Sequence, residues 1–271
     1  MSAIINFKKY VALVRAGALE QLQYRLATLV IIFGNLIYLT IVYFLWKAIF
    51  ASSETGVVGG MTFESTLIYL VLATALFNFM SMYAVWDIGR SIQSGKIVLD
   101  LLRPFEYRRY LFWCLVGPTF VQFFTTFLPT FIIVCIVTKG SVPLGINLIY
   151  FAVSVVFSVI INYNIDFIVG TICIYTESIW GINIMKEVIV LLFSGATIPL
   201  NFFPEKLKDF ALCLPFRAIY DSPLKILLSQ NAGFNDMAET LFIQLFWAVT
   251  LTLFAKIFWS VSIKRITVNG G

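Results

Sequence analysis

WDIGRSIQSGKIVLDLLRPFEYRR, residues 86–109, is the one long charged interruption in the first half of the chain, and hydrophobic runs long enough for a membrane flank it on both sides. It sets Arg90, Lys96, Arg103, Arg108 and Arg109 against Asp87, Asp100 and Glu106. Loops rich in Lys and Arg are retained on the inner side of a bilayer, so 86–109 is expected in the cytoplasm. Within it Ile97, Val98, Leu99, Leu101 and Leu102 follow Gly95 and stop at Arg103-Pro104, the start and stop signals of one short helix. An apolar helix in a water-facing loop needs a partner to cover it.

Composition places the rest of the chain in the same setting. The 271 residues are 60% hydrophobic, 17% aromatic and 12% charged, with a mean hydropathy of +0.93. A soluble domain cannot carry that much apolar surface, which defines an all-α polytopic membrane protein. The net charge of +5 resides in loops beside apolar spans, where topology explains it and nucleic-acid binding does not. Cys114, Cys135 and Cys173 lie inside apolar runs and Cys213 stands alone in a polar loop, so no structural disulfide is expected. With no His and no clustered Cys, no metal site is expected either. The N-terminus lacks a short apolar core followed by a cleavage site, and no cleaved signal is expected.

Residues 4–25 place Phe7, Val11, Val14, Ala18 and Leu22 at helical spacing, with Lys8, Lys9, Arg15 and Arg25 making the segment basic. That pattern predicts an amphipathic helix on the inner leaflet. Spans are expected at 28–50, 64–85, 110–137, 145–175, 180–198 and 240–262. Pro118 and Pro129 should kink the third. The 51–63 loop carries Glu54 and no Lys or Arg, 138–144 is an outer turn, and Glu177 and Ser178 mark an inner one. Residues 200–239 are too broken to span. Glu205–Leu214 and Phe216–Ser229 are each too short to cross and too apolar for open water, so they should dip into the outer leaflet and lid the exit. Pro199, Pro204 and Pro215 supply the reversals, and Phe203 and Phe210 belong to the apolar face. Four Lys and Arg precede the first span, five lie in the 86–109 loop and two follow the last span, against Lys139, Lys206, Lys208, Arg217 and Lys225 outside. Both termini are therefore expected in the cytoplasm.

The run SGKIVLDLLRPFEYRRYLF resembles the cytoplasmic loop of ABC-2 type transporter permeases, in particular the bacterial branch with a Ser-Gly-x-(three residues)-Asp-x-Leu-Leu-Arg-Pro pattern. Here the pattern is Ser94, Gly95, Asp100, Leu101, Leu102, Arg103 and Pro104. FSGATIPLNFFPEKLKDFALCLPF, residues 193–216, and the Lys-Arg-(three residues)-Asn-Gly-Gly ending from Lys264 are similar to the same family. The resemblance implies a permease of the bacterial plasma membrane that exports an amphiphile such as a drug, peptide, lipid or glycan. It also implies two separate ABC ATPase subunits that bind ATP and Mg, a second permease, identical or sister, an N-terminal connecting helix and a pair of re-entrant helices before the last span. Gly95, Ile97, Val98, Leu99, Asp100, Leu101, Leu102 and Arg103 then form the ATPase-coupling segment.

The chain offers no ATP site of its own. GRSIQSGK, residues 89–96, has five residues between its glycines where the phosphate-binding loop needs four, and Ile97 stands where a Ser or Thr must meet magnesium. An intramembrane enzyme would need a nucleophile with a base, or paired acids; Asp166 and Glu187 could in principle pair as acids, but their neutralisation by Lys186 or Lys256 is the commoner outcome and an enzyme is not expected. Asn35 and Asn78, amides inside spans, with Tyr38 and Phe77 beside them, are candidates for the substrate pathway, although helix packing accounts for such residues as well. Asp166, Lys186, Glu187 and Lys256 fall at matched depth and are expected to pair. In an ion-coupled secondary transporter the same four would be the coupling charges. A non-transporting scaffold with 86–109 as a docking peptide is the third class.

Overall fold

The computed structural model describes residues 2–53, 56–139, 142–143, 145–176, 178–229 and 233–265. Glu54, Glu177, part of the 138–144 turn, the Asn269-Gly270-Gly271 ending and the side chain of Phe7 lie outside the described residues.

Apart from a two-residue hairpin pairing Val57–Val58 with Met61–Thr62, the described regular structure is helical. Five helical stretches are long and apolar enough to cross a membrane: Leu26–Ala51, Phe63–Gln93, Tyr107–Val137, Ile146–Thr176 and Phe234–Arg265. At about 1.5 Å per residue each exceeds a hydrocarbon core of about 30 Å. The protein is an all-α polytopic membrane protein.

Helix α1 (Ser2–Gln23) and helix α2 (Arg25–Ala51) are divided at Tyr24, which leaves helical geometry. Helix α3 (Phe63–Met80) begins with a capping box in which Thr62 and Ser65 satisfy each other's backbone amides. Helix α4 (Ala84–Gln93) and helix α5 (Ile97–Leu101) make up the interruption, and helix α6 (Tyr107–Gln122) leads through a π-helical turn, Phe123–Phe127, into helix α7 (Leu128–Val137). Helix α8 (Ile146–Thr176) is the central post, against which α4, α11 and α12 pack. After helix α9 (Trp180–Phe193) come helix α10 (Glu205–Leu212), helix α11 (Asp221–Leu228) and helix α12 (Phe234–Ser262).

Several expected boundaries move, each for a local reason. The second span breaks after Met80, and Tyr83 takes a left-handed backbone (φ 53°) before α4 resumes. Asn162 Nδ2 donates to the carbonyl of Met80 at 2.8 Å, satisfying an acceptor that the break would otherwise strand in a buried site. The expected span 180–198 is helical only to Phe193, 14 residues or about 21 Å. Gly195 ends it with φ +78°, and a Cβ there would sit 2.6 Å from the Tyr69 hydroxyl. The last span starts at Phe234 rather than 240. Between Pro118 and Pro129 the third span widens into its π turn; Pro129 has no donor for the carbonyl of Thr125 and its ring crowds that oxygen, which a wider turn relieves.

The N-terminal helix packs along one stripe of its surface. Val11 and Leu22 are about half exposed, whereas Tyr10, Leu13, Val14, Gly17, Ala18 and Gln21 form the partly covered stripe. That stripe lies lengthwise on α6, Tyr10 stacking on Trp113 at 5.5 Å. Two glycines set the approach: a Cβ on Gly117 would meet the carbonyl of Val14 at 2.2 Å, and one on Gly17 that of Cys114 at 2.5 Å. Close backbone contact over small residues is how helices associate where lipid supplies no hydrophobic drive.

Candidate functional site

At one end of the bundle the 86–109 interruption folds into a two-helix platform. Gly95 turns the chain between α4 and α5 with φ +71°. The predicted coupling residues then divide by direction. Ile97 is buried (1% exposed) among Ile88, Tyr107, Phe167 and Trp259. Asp100 also points inward, where it accepts a hydrogen bond from Ser91 Oγ (2.8 Å) and pairs with Arg103 (3.0 Å). Arg103 in turn donates to the Tyr110 hydroxyl at 2.6 Å and lies over its ring. Leu99 and Leu102 point the other way, 65% and 77% exposed, with Val98 and Leu101 partly covered and Gly95 exposed. Within Ile97–Leu102, Ile97 and Asp100 thus anchor the helix, and Leu99 and Leu102 are offered outward. Below, Gly170 lets Ile88 of α4 sit against α8, and Gly89 receives Ile179, where a Cβ would meet those side chains at 2.8 and 2.6 Å.

Between the ends, Asn35 and Tyr38 of α2, Phe77 and Asn78 of α3, and Leu191 of α9 line one mostly apolar cavity of about 330 Å³. The structure thus brings all four predicted pathway residues together. Asn78 spends its amide on the carbonyl of Thr74, one turn back in its own helix (2.9 Å). A second cavity of about 300 Å³ adjoins it through Phe77 and is lined by Tyr83, Asn162, Asp166, Lys186, Glu187 and Tyr220 among others. Here Lys186 Nζ meets Asp166 Oδ1 at 2.9 Å, and Asn183 donates to Glu187 at 2.7 Å. Lys256 is exposed on α12 and is absent from the ion pairs of the described residues. The expected four-charge network is accordingly corrected to one buried pair and a separately hydrogen-bonded glutamate.

At the other end the irregular segment between α9 and α12 is held by amides and hydroxyls of the long helices. Gln244 of α12, fully buried, donates to the carbonyl of Ala218 at 2.8 Å, as does Ser158 of α8 at 2.9 Å. Asn147 donates to the carbonyl of Ser229 at 2.7 Å. Pro199 is buried at the start of a 3-10 turn, Pro204 precedes α10, and Pro215 opens the 3-10 turn before α11. Phe203 is partly covered, and Phe210, 55% exposed, packs edge-on to Phe193. Of the two short helices α11 is the buried one, with Leu224, Ile226 and Leu227 in the core. Asp221, at its start, accepts from the Tyr69 hydroxyl at 3.2 Å, and burial raises its carboxyl above the ordinary range against the pull of that bond and of Arg217.

Sequence reading singled out Asn35 and Asn78 but passed over Asn147, Asn162 and Gln244, whose side chains bond to backbone carbonyls of other elements. A polar residue in an apolar run was the available signal, and it does not reveal which break it serves.

Long apolar helices, a charged platform at one end and a side-chain-stabilised irregular cap at the other define a polytopic membrane protein. The sequence pattern described as ABC-2 family transporter protein matches residues 36–270, and the chain belongs to that family. A search of curated proteins gives no match.

Proposed function

We propose that the protein is the six-span permease subunit of an ATP-driven exporter, with both termini in the cytoplasm of a bacterial cell and α9 counted as a short fifth span. Two ABC ATPases bind ATP and Mg and dock on α5. A second permease, identical or sister, completes the assembly. The exposure of Leu99 and Leu102 on a helix whose other residues are fastened by Ser91, Asp100 and Arg103 carries this reading. A fastened platform transmits a push, and an uncovered leucine pair gives it somewhere to be gripped. The cavity of Asn35, Tyr38, Phe77 and Asn78 serves as the amphiphile's route, and α10 and α11, re-entrant from the outer side, form its lid around Pro199, Phe203, Pro204, Phe210 and Pro215. Affinity purification from native membranes tests the reading: an ATPase that copurifies and turns over ATP is expected, and a permease isolated alone, with transport following an ion gradient, refutes it.

A further inference from the structure

The two cavities are stacked along α9, Glu187 lining one and Leu191, one helical turn away, the other, and Phe77 of α3 borders both. Their chemistry differs. The upper cavity is bordered chiefly by apolar groups, with Leu191 and Ala196 beside Phe77. The lower one holds two carboxylates, Asp166 and Glu187, and one cation, Lys186. Lys186 is committed to Asp166 at 2.9 Å. Glu187 receives only the neutral amide of Asn183, and among the described residues no cation lies within ion-pair distance of it. The lower cavity therefore has an uncompensated formal negative charge. It is also bordered by three aromatic rings, Phe77, Tyr83 and Tyr220, and Phe77 and Tyr220 are 6.0 Å apart. Aromatic faces beside a carboxylate are the chemistry that holds alkylammonium groups, through ring quadrupole and charge together.

We infer that the stacked cavities form one bipartite site for a cationic amphiphile, its alkylammonium head against Glu187 and the aromatic rings and its chain in the apolar cavity above. The inference rests on the pathway reading given under Proposed function. With α5 on the cytoplasmic side, the charged cavity faces the inner leaflet and the apolar one lies deeper. That is the orientation in which an inner-leaflet amphiphile presents itself. The break at Ser81–Tyr83 makes room for the head, since all three of its residues, Ser81, Met82 and Tyr83, border the charged cavity. Asp166 and Lys186 fix the wall, and Glu187 supplies the selectivity.

Titration calorimetry of the full-length protein in a neutral maltoside detergent, with decyltrimethylammonium, decanol and decanoate as probes sharing one chain length, separates head from tail. The cationic probe is expected to bind at least about ten-fold more tightly than decanoate, the scale of one desolvated cation contact. Glu187→Gln, which keeps the hydrogen bond from Asn183, should bring the two within about two-fold, and Glu187→Asp should retain the preference. Phe77→Ala should weaken all three probes. Equal binding of cation and anion by the wild type, or an undiminished preference in Glu187→Gln, overturns the head-group assignment and leaves the pathway reading standing. Binding of none of the probes overturns both.

Discussion

Replacing Leu99 and Leu102 together by Asp isolates docking from folding, because both side chains already face solvent in the subunit. Complete burial of a leucine is worth roughly 1.5–3 kcal/mol. Scaled to the exposed fractions of 65% and 77%, the pair could contribute about 2–4 kcal/mol when covered by a partner. That corresponds to roughly a 30- to 1000-fold loss of affinity for the ATPase. Surface substitutions away from packed groups usually change stability by less than about 0.5 kcal/mol, so the melting temperature of the isolated permease should stay near wild type. Ile97→Ala, inside the core at 1% exposed, should do the reverse, lowering stability by about 2–5 kcal/mol. The assay is a titration of purified ATPase onto immobilised permease in nanodiscs, with thermal unfolding measured in parallel. A doubly substituted protein that binds ATPase with undiminished affinity refutes the assignment of α5. One that melts early instead shows that the leucines are structural.

Asp166→Asn leaves Lys186 without its carboxylate in a site where the two side chains are 3% and 15% exposed; thermal stability should drop by about 3 kcal/mol and recover in part when Lys186→Met is added. Lys256→Met, on the exposed side of α12, should leave stability unchanged in the same measurement. Gly117→Leu forces a side chain into the backbone of α1, so α1 should detach from α6 and trypsin should cut at Lys8, Lys9 or Arg15 several-fold faster; an unchanged digestion pattern would show that the contact does not hold α1. A cysteine at Lys206, with the exposed Cys213 removed, should react with a membrane-impermeant thiol reagent from the outer side alone, and labelling from the cytoplasm would invert the topology.

The membrane class, the location of the long helices and the existence of a short helix after Gly95 were all legible in the chain, because hydropathy and turn chemistry are local properties. A stretch such as Leu26–Ala51 declares itself whatever surrounds it. The interruption at 86–109 was legible for the same reason, as charge set between apolar runs. Direction was not. Whether Ile97 or Leu99 faces the core depends on where Tyr107, Phe167 and Trp259 lie, residues brought from α6, α8 and α12. Ser91 and Asp100 look like ordinary loop polarity until the turn at Gly95 folds one onto the other. Which stripe of α1 meets α6 was not legible either, because Gly17 and Gly117 set the crossing and leave Val11 and Leu22 exposed. Lys256 shares a depth with Asp166 and still points elsewhere, since matched depth fixes one coordinate and rotation about the helix axis fixes the other. The stacking of a charged cavity on an apolar one needs α3, α8 and α9 together. Only tertiary structure could decide it, because the distance between Asp166 and Lys186 is a property of packed helices and not of the residues between them.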